Sequence, residues 1–174
     1  REGKLDRQRL LAIQGRGRKP QIELAAQFGI SDYAPPAGGC LLTDPIFSRR
    51  LRDLFDENPA CSANDIELLK YGRHFRTAEG RKVIVGRNER DNRLLEKLAG
   101  TGDATLHVAD HPGPLAVVPG GGDEKALATA AALCILYSDA PKDRSVTVCC
   151  TIGGRAQTLV AAAASREEAK GLLV

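Results

Sequence analysis

The apolar residues of this chain change their spacing at Gly72, and that change decides what the chain can fold into. Before it, Phe47, Leu51, Leu54 and Phe55 fall at i, i+4, i+7 and i+8, the stripe of an amphipathic helix. From Arg73 the period is two. Residues 73–77 and 81–86, joined by Ala78-Glu79-Gly80, have the pattern of a β-hairpin. A period of 3.6 cannot keep one face of a strand apolar, and a period of two cannot do so for a helix. The expected class is therefore α+β: a helical segment over residues 1–71 that carries a Gly-Gly-Cys loop, then a mixed α/β sheet domain over residues 72–174.

Local signals fill in both parts. In the helical segment, Asp6 caps a helix carrying Leu10, Leu11 and Ile13, which stops at Gly15. Pro20 opens a second helix with Ile22, Ala25 and Ala26 inward and Gly29 at its end. Asp44-Pro45 starts a third, with Arg49, Arg50 and Arg52 off the apolar stripe and facing out. Ser62 with Asp65 forms a capping box for a fourth. In the second part, Gly86-Arg87-Asn88 leads into a helix with Leu94, Leu95 and Leu98 inward. Strands are expected at 105–109, 115–118, 145–151 and 156–163, an Ala-rich helix at 124–138, and a last helix capped by Ser165.

Charge is distributed unevenly. Residues 1–56 hold 10 Lys and Arg against 7 Asp and Glu, and residues 73–93 hold 7 against 3, in a chain whose net charge is only +3. Two basic zones of this kind attract polyanions. Gly15-Arg16-Gly17-Arg18-Lys19 places Arg16, Arg18 and Lys19 on flexible backbone beside a helix start, a seat for phosphate that Arg49, Arg50 and Arg52 would extend. Arg87 and Asn88 sit at a strand-to-helix junction with Arg90 outward on the helix. Aromatic residues make up 4% of the chain, so backbone and shape contacts are expected to outweigh base stacking.

The five cysteines share no C-x-x-C spacing and lack the regularity of a disulfide framework, which points to a reducing, cytoplasmic setting. No ligand pattern for a metal is present, and His107, Asp110 and His111 lie on a strand and a turn that do not gather both rings on one side. No run is long enough to span a bilayer, so no membrane partner is expected. The chain begins at Arg1 and contains no Met, which suggests a piece of a longer protein. Cys40 stands apart from the other cysteines. It follows Gly38-Gly39 and precedes the helix start at Asp44-Pro45, a setting that presents a thiol and favours its thiolate. The carboxylate of Asp44 opposes that. A buried, packing Cys40 is the competing reading.

Two stretches resemble known families. Gly15-Arg16-Gly17-Arg18-Lys19-Pro20-Gln21, Tyr33-Ala34-Pro35-Pro36-Ala37-Gly38-Gly39-Cys40-Leu41-Leu42-Thr43-Asp44-Pro45 and Phe47-Ser48-Arg49-Arg50-Leu51 together resemble the region that follows the PP-loop ATP-pyrophosphatase domain in bacterial tRNA thiouridylase-like proteins. That resemblance covers residues 4–56. Gly86-Arg87-Asn88, Asn92, Asp103, His107 and Pro112-Gly113 resemble the RNA-binding domain of the NFACT family over residues 73–163. Thr105 and Leu106 stand where that family often has aromatic residues, and Pro114-Leu115 where it often has Ser-His.

The resemblances imply the C-terminal part of an ATP-dependent tRNA uridine thiolation enzyme. In such an enzyme the PP-loop domain adenylates a uridine oxygen, and a cysteine persulfide delivers sulfur to the activated carbon. Cys40 stands at the position of the persulfide cysteine, and Arg16, Arg18, Lys19, Arg49, Arg50, Arg52, Arg87, Asn88, Arg90 and His107 would contact tRNA. ATP and Mg would belong to the PP-loop domain, with no cofactor in the present residues. A cysteine desulfurase would donate the sulfur. The alternatives are a noncatalytic RNA-binding module and, third, a protein-interaction domain.

Overall fold

The computed structural model describes residues 17–31 and 40–174. The chain divides into two compact units, Arg1–Gly39 and Cys40–Val174. In the first, α1 spans Lys19–Gln27 with Pro20 in its opening turn. Gly29, at φ +66°, ends it as expected. The inward face expected of α1 is not found: Ile22 is 43% exposed and no residue of the helix is buried. Among the described residues the helix has no core to face. The helix expected from Asp6 to Gly15, and Arg16 after it, lie outside the described residues.

The second unit opens with a single 3-10 turn, Leu41–Thr43, followed by α2 (Pro45–Glu57) and α3 (Ala63–Leu68). Their starts follow from their caps. The Asp44 carboxylate accepts from the Phe47 N–H at 2.8 Å, and Ser62 and Asp65 close a reciprocal capping box. Then come β1 (Arg73–Arg76), β2 (Lys82–Val85), α4 (Glu89–Leu98), β3 (Ala104–Val108), β4 (Ala116–Val118), α5 (Glu124–Leu136), β5 (Val146–Ile152), β6 (Arg155–Ala161) and α6 (Arg166–Leu172). Asn88 caps α4, Asp123 caps α5 and Ser165 caps α6. Among the described residues no helix is long and apolar enough to cross a membrane.

The strands form one six-stranded sheet in the order β1-β2-β4-β3-β5-β6, and every pairing is antiparallel. Alternation sends successive side chains to opposite faces. One face carries Phe75, Val83, Val85, Leu106, Val108, Ala116, Val118, Val148 and Cys150 into the main core. That core is closed by Ala126, Ala130, Ala131, Leu133 and Cys134 of α5 and by Ala169 of α6. The small side chains of α5 let the helix lie close on the sheet. The other face sends Ile84 and Val117 against Leu68 and against Leu95 of α4. Leu173 bridges to Phe75, and the Val174 N–H donates to the His74 carbonyl at 2.9 Å, so the chain's end lies along β1.

Helical periodicity stops at Gly72, yet the compact unit begins at Cys40. The reason is that α2 is fastened to the first hairpin. Asp53 of α2 accepts from Arg76 Nη2 at 2.6 Å and from Lys82 Nζ at 2.8 Å. Phe47 and Leu54 of the same helix pack with Leu69. Gly72 turns the chain into the sheet at φ +74°, and a Cβ there would sit 2.8 Å from the Val85 carbonyl oxygen. Only glycine fits that turn.

Candidate nucleic-acid interface

At one end of the sheet, the start of β1, the end of β2, the N-terminus of α4, the loop before β4 and the end of α5 meet around an open cavity of about 400 Å³. Arg73, Arg87, Asn88, Asn92, Gly113 and Tyr137 are among its lining residues. Two of these are cations held in different ways. Arg87 Nε donates to Asp91 Oδ2 at 2.6 Å, and its side chain stays 46% exposed. The Arg73 guanidinium carbon lies 4.4 Å from the centroid of the Tyr137 ring. Arg73 Nη1 also donates to the Gly86 carbonyl at 3.3 Å.

Asp91 organises this corner. Its Oδ2 accepts from the Gly72 N–H at 3.1 Å and from the Arg87 N–H at 3.3 Å, besides the Arg87 side chain. Burial alone would raise its pKa, but the hydrogen bonds from Arg87 and Gly72 outweigh burial and hold the carboxyl below its usual value. The same pairing raises the pKa of Arg87. A charged Asp91 thereby keeps Arg87 cationic and fixed at the cavity.

The residues of the NFACT-like motif divide by role. Gly86 faces the Asn92 side chain so closely that a Cβ would lie 2.0 Å from Asn92 Oδ1. Asn92 in turn accepts from the Leu115 N–H at 3.0 Å and donates to the Gly113 carbonyl at 3.3 Å. A Cβ on Gly113 would meet Ser138 Cβ at 2.6 Å. Asp103 accepts from the Gly100 and Gly120 N–H groups, both at 2.8 Å. These four shape the loops. Arg87 and Asn88 are exposed beside them, and the Asn88 side chain accepts from the Asp91 N–H at 2.9 Å as the cap of α4.

His107 lies elsewhere. It is exposed on β3, opposite Cys149 of β5, which in turn pairs with Thr158 of β6. This is the face of the sheet that carries Val117 into the α4 core, but over β3, β5 and β6 it is open: Thr158 is exposed and Val160 is 76% exposed. His111 sits beyond the strand with Nδ1 3.1 Å from the Ala109 carbonyl. Among the described residues, no group of His, Cys, Asp and Glu comes together as a metal site.

The remaining cations are scattered. Arg90 lines a shallow depression with Tyr71, Arg93 and Lys97 along α4. Arg49 and Arg52 are exposed on α2, as expected from the stripe. Arg50 is not: it turns inward and donates to the Leu69 carbonyl at 2.9 Å and the Gly72 carbonyl at 3.2 Å. Leu69 caps the C-terminus of α3 and Gly72 directly precedes β1, and one guanidinium fork supplies both carbonyls with donors. Burial, with Arg87 and Arg49 nearby, lowers its pKa. Arg18 and Lys19 belong to the first unit, half-buried and exposed respectively.

Cys40 is exposed at the start of the second unit, and its carbonyl accepts from the Thr43 hydroxyl at 2.7 Å. Its Gly38-Gly39 neighbours lie outside the described residues. Cys134 is sealed in the core, where burial pushes the thiol up to about 12. Cys149 and Cys150 point to opposite faces, as alternation requires, with only Cys150 buried.

Arg73 and Tyr137 carry no local signal that marks them. Arg73 is one more basic residue opening a strand, and Tyr137 follows an Ala-rich helix. Their pairing depends on how β1 and α5 meet.

Comparison with known proteins bears on the sheet domain. Residues 72–171 match the NFACT protein RNA binding domain. The fold is also that of the C-terminal part of the fibronectin/fibrinogen-binding protein from Streptococcus suis, at 16% identity and a TM-score of 0.54, covering 74% of this chain and 67% of that one. No curated protein matches the chain in sequence. Residues 4–56, where a thiouridylase-like relationship is expected from the sequence, lie outside the family match, and the comparisons show no such relationship. With its sheet, α4, α5, the cavity and all but the last residue of α6 inside the matched residues, the chain belongs to the family of the NFACT protein RNA binding domain.

Proposed function

We propose that this chain is a noncatalytic RNA-binding module that holds tRNA chiefly by its phosphates, at the corner formed by Arg73, Arg87, Asn88 and Arg90. The observation that carries this reading is the convergence of Arg73 and Arg87, from separate elements, on one open cavity inside the matched domain. Phosphate contacts position a protein on RNA, and Arg suits them because its planar fork can grip two oxygens. Arg49 and Arg52 would lend exposed charge from α2, whereas Arg50, tied to backbone carbonyls, would serve α3 instead. Arg18 and Lys19 remain candidates from the first unit. His107 would meet RNA only through the open face of β3.

The test is fluorescence anisotropy with tRNA over a salt series. Each phosphate contact adds roughly 0.7–0.9 to the slope of log K against log salt. Arg87→Ala should weaken binding and flatten that slope by about one contact. An unchanged slope would remove Arg87 from the interface, and no binding at low salt would leave the protein-interaction reading.

A second reading keeps sulfur transfer, supported by the exposure of Cys40. Here a PP-loop domain would supply ATP and Mg for uridine activation, a cysteine desulfurase would load Cys40 with persulfide sulfur, and the matched domain would hold the tRNA. Mass spectrometry after incubation with a desulfurase would show one added sulfur on the Cys40 peptide. Its absence, together with full thiolation by a Cys40→Ser protein carrying the PP-loop domain, would leave RNA binding alone.

A further inference from the structure

The Arg73–Tyr137 pair does more than add charge to the cavity. Arg73 is the first residue of β1, and its guanidinium is fixed from two sides: the Tyr137 ring lies 4.4 Å from its central carbon, and the Gly86 carbonyl accepts from its Nη1 at 3.3 Å. Phe75 braces the ring, its centroid 6.1 Å from that of Tyr137 at a tilt of 35°. An arginine held this way has already lost the rotamer freedom that binding would otherwise cost. Neither the ring nor the carbonyl neutralises its charge.

A planar cation with one face on an aromatic ring can receive a second flat group on the other face. The cavity of about 400 Å³ that Arg73 lines falls within the size range of small-ligand sites. Its walls are firm. The Asn92 amide is occupied at both ends by Leu115 and Gly113, and the stiff rings of Pro112 and Pro114 also line the cavity. Glu89 also lines the cavity. Although Arg93 pairs with it, its carboxylate disfavours a phosphate inside the cavity. Arg87, which lines the cavity with nearly half its side chain exposed, and Arg90, further along α4, offer cations to phosphates that stay in solvent.

We propose that Arg73, backed by Tyr137, is a platform on which one unpaired RNA base stacks, with the flanking phosphates left to Arg87 and Arg90. The inference rests on the RNA-binding reading and adds to it a preference for unstacked nucleotides. Bases inside an A-form duplex are stacked on their neighbours and cannot reach such a platform, whereas a bulged or looped-out base can. Base stacking on a protein platform is sequence-tolerant, so no particular base is required.

The test uses the whole chain and two RNA hairpins of equal length, one fully paired and one with a single bulged 2-aminopurine. The wild-type protein should bind the bulged hairpin about tenfold more tightly and change the 2-aminopurine fluorescence on binding. Arg73→Lys keeps the charge and removes the plane. It should abolish both the preference and the fluorescence change, so that the two hairpins bind alike. Tyr137→Leu should behave like Arg73→Lys, and Tyr137→Phe like the wild type. Arg73 is a half-buried surface residue, so the result does not depend on whether Tyr137→Leu folds. A preference that survives Arg73→Lys, or equal wild-type binding of both hairpins, would overturn the platform while leaving RNA binding standing. If neither hairpin binds at low salt, the RNA-binding reading falls and the platform with it.

Discussion

Two carboxylates, Asp53 and Asp91, are used in opposite ways. Asp53 of α2 gathers Arg76 and Lys82, whose side chains are 20% and 9% exposed, so all its partners are turned into the protein. Asp91 of α4 fixes the Gly72 backbone with one hand and Arg87 with the other, and Arg87 remains 46% exposed. Burial would raise the pKa of both. Arg76 and Lys82 in one case, Arg87 and Gly72 in the other, hold each below its usual value. The Asp53 clamp is scaffold: it joins a helix to a hairpin. The Asp91 clamp aims a cation at an open cavity. The difference teaches that an ion pair here says little about function until the exposure of its cation is known.

The largest effect should come from Asp53→Ala, which leaves Lys82 and Arg76 without a carboxylate in a partly buried site. Removing one partner of such a cluster costs about 3 kcal/mol, measurable as a lower urea midpoint. If α2 unfolds alone, hydrogen exchange will show it over Pro45–Glu57 first. Gly86→Ala should follow. Its Cβ would force the Asn92 carboxamide away from Leu115 and Gly113, costing roughly 2 kcal/mol for two lost hydrogen bonds and weakening RNA binding by distorting the cavity. Stability loss with unchanged RNA affinity would separate the cavity from the interface.

A pH titration tests the scaffold side. His74 is fully buried, with Nε2 2.8 Å from the Tyr71 carbonyl and Nδ1 unpaired. Burial, then the nearby Arg50 and Lys82, lower its pKa well below 6.5. The unfolded chain therefore takes up a proton that the folded chain refuses. Stability is complete above pH 6.5 and declines as pH falls below it. Asp53, lowered from 3.8, adds a later loss only as pH falls below that value. His74→Gln should erase the first decline in urea midpoints and leave the second; an unchanged profile would mean that His74 does not titrate against its neighbours. The smallest stability effect should be that of Arg87→Ala, whose exposed half is screened by solvent. Its urea midpoint should fall less than that of Asp53→Ala, because Asp91 keeps the Gly72 and residue-87 backbone N–H donors, while RNA affinity drops several-fold. Equal effects on both readouts for both variants would break the comparison.

Much of the fold is written locally. The caps at Asp44, Ser62, Asn88, Asp123 and Ser165 form within three residues of the groups they satisfy, and strand alternation is likewise a neighbour-to-neighbour property. The motif Gly86-Arg87-Asn88 marks the cavity because its members are adjacent. The inward turn of Arg50 was hidden, since its acceptors, Leu69 and Gly72, lie on another element. So was the role of Arg73, whose ring partner comes from the far end of α5.

The sequence alone determined the α+β class, the helix starts and the turn at Gly72, because each is settled by the preferences of a few consecutive residues. Only the tertiary structure decided the order β1-β2-β4-β3-β5-β6, the fastening of α2 to the sheet, and which cations face solvent. Those outcomes depend on pairings between distant segments, whose register is set by how the two cores close around the sheet rather than by any local pattern.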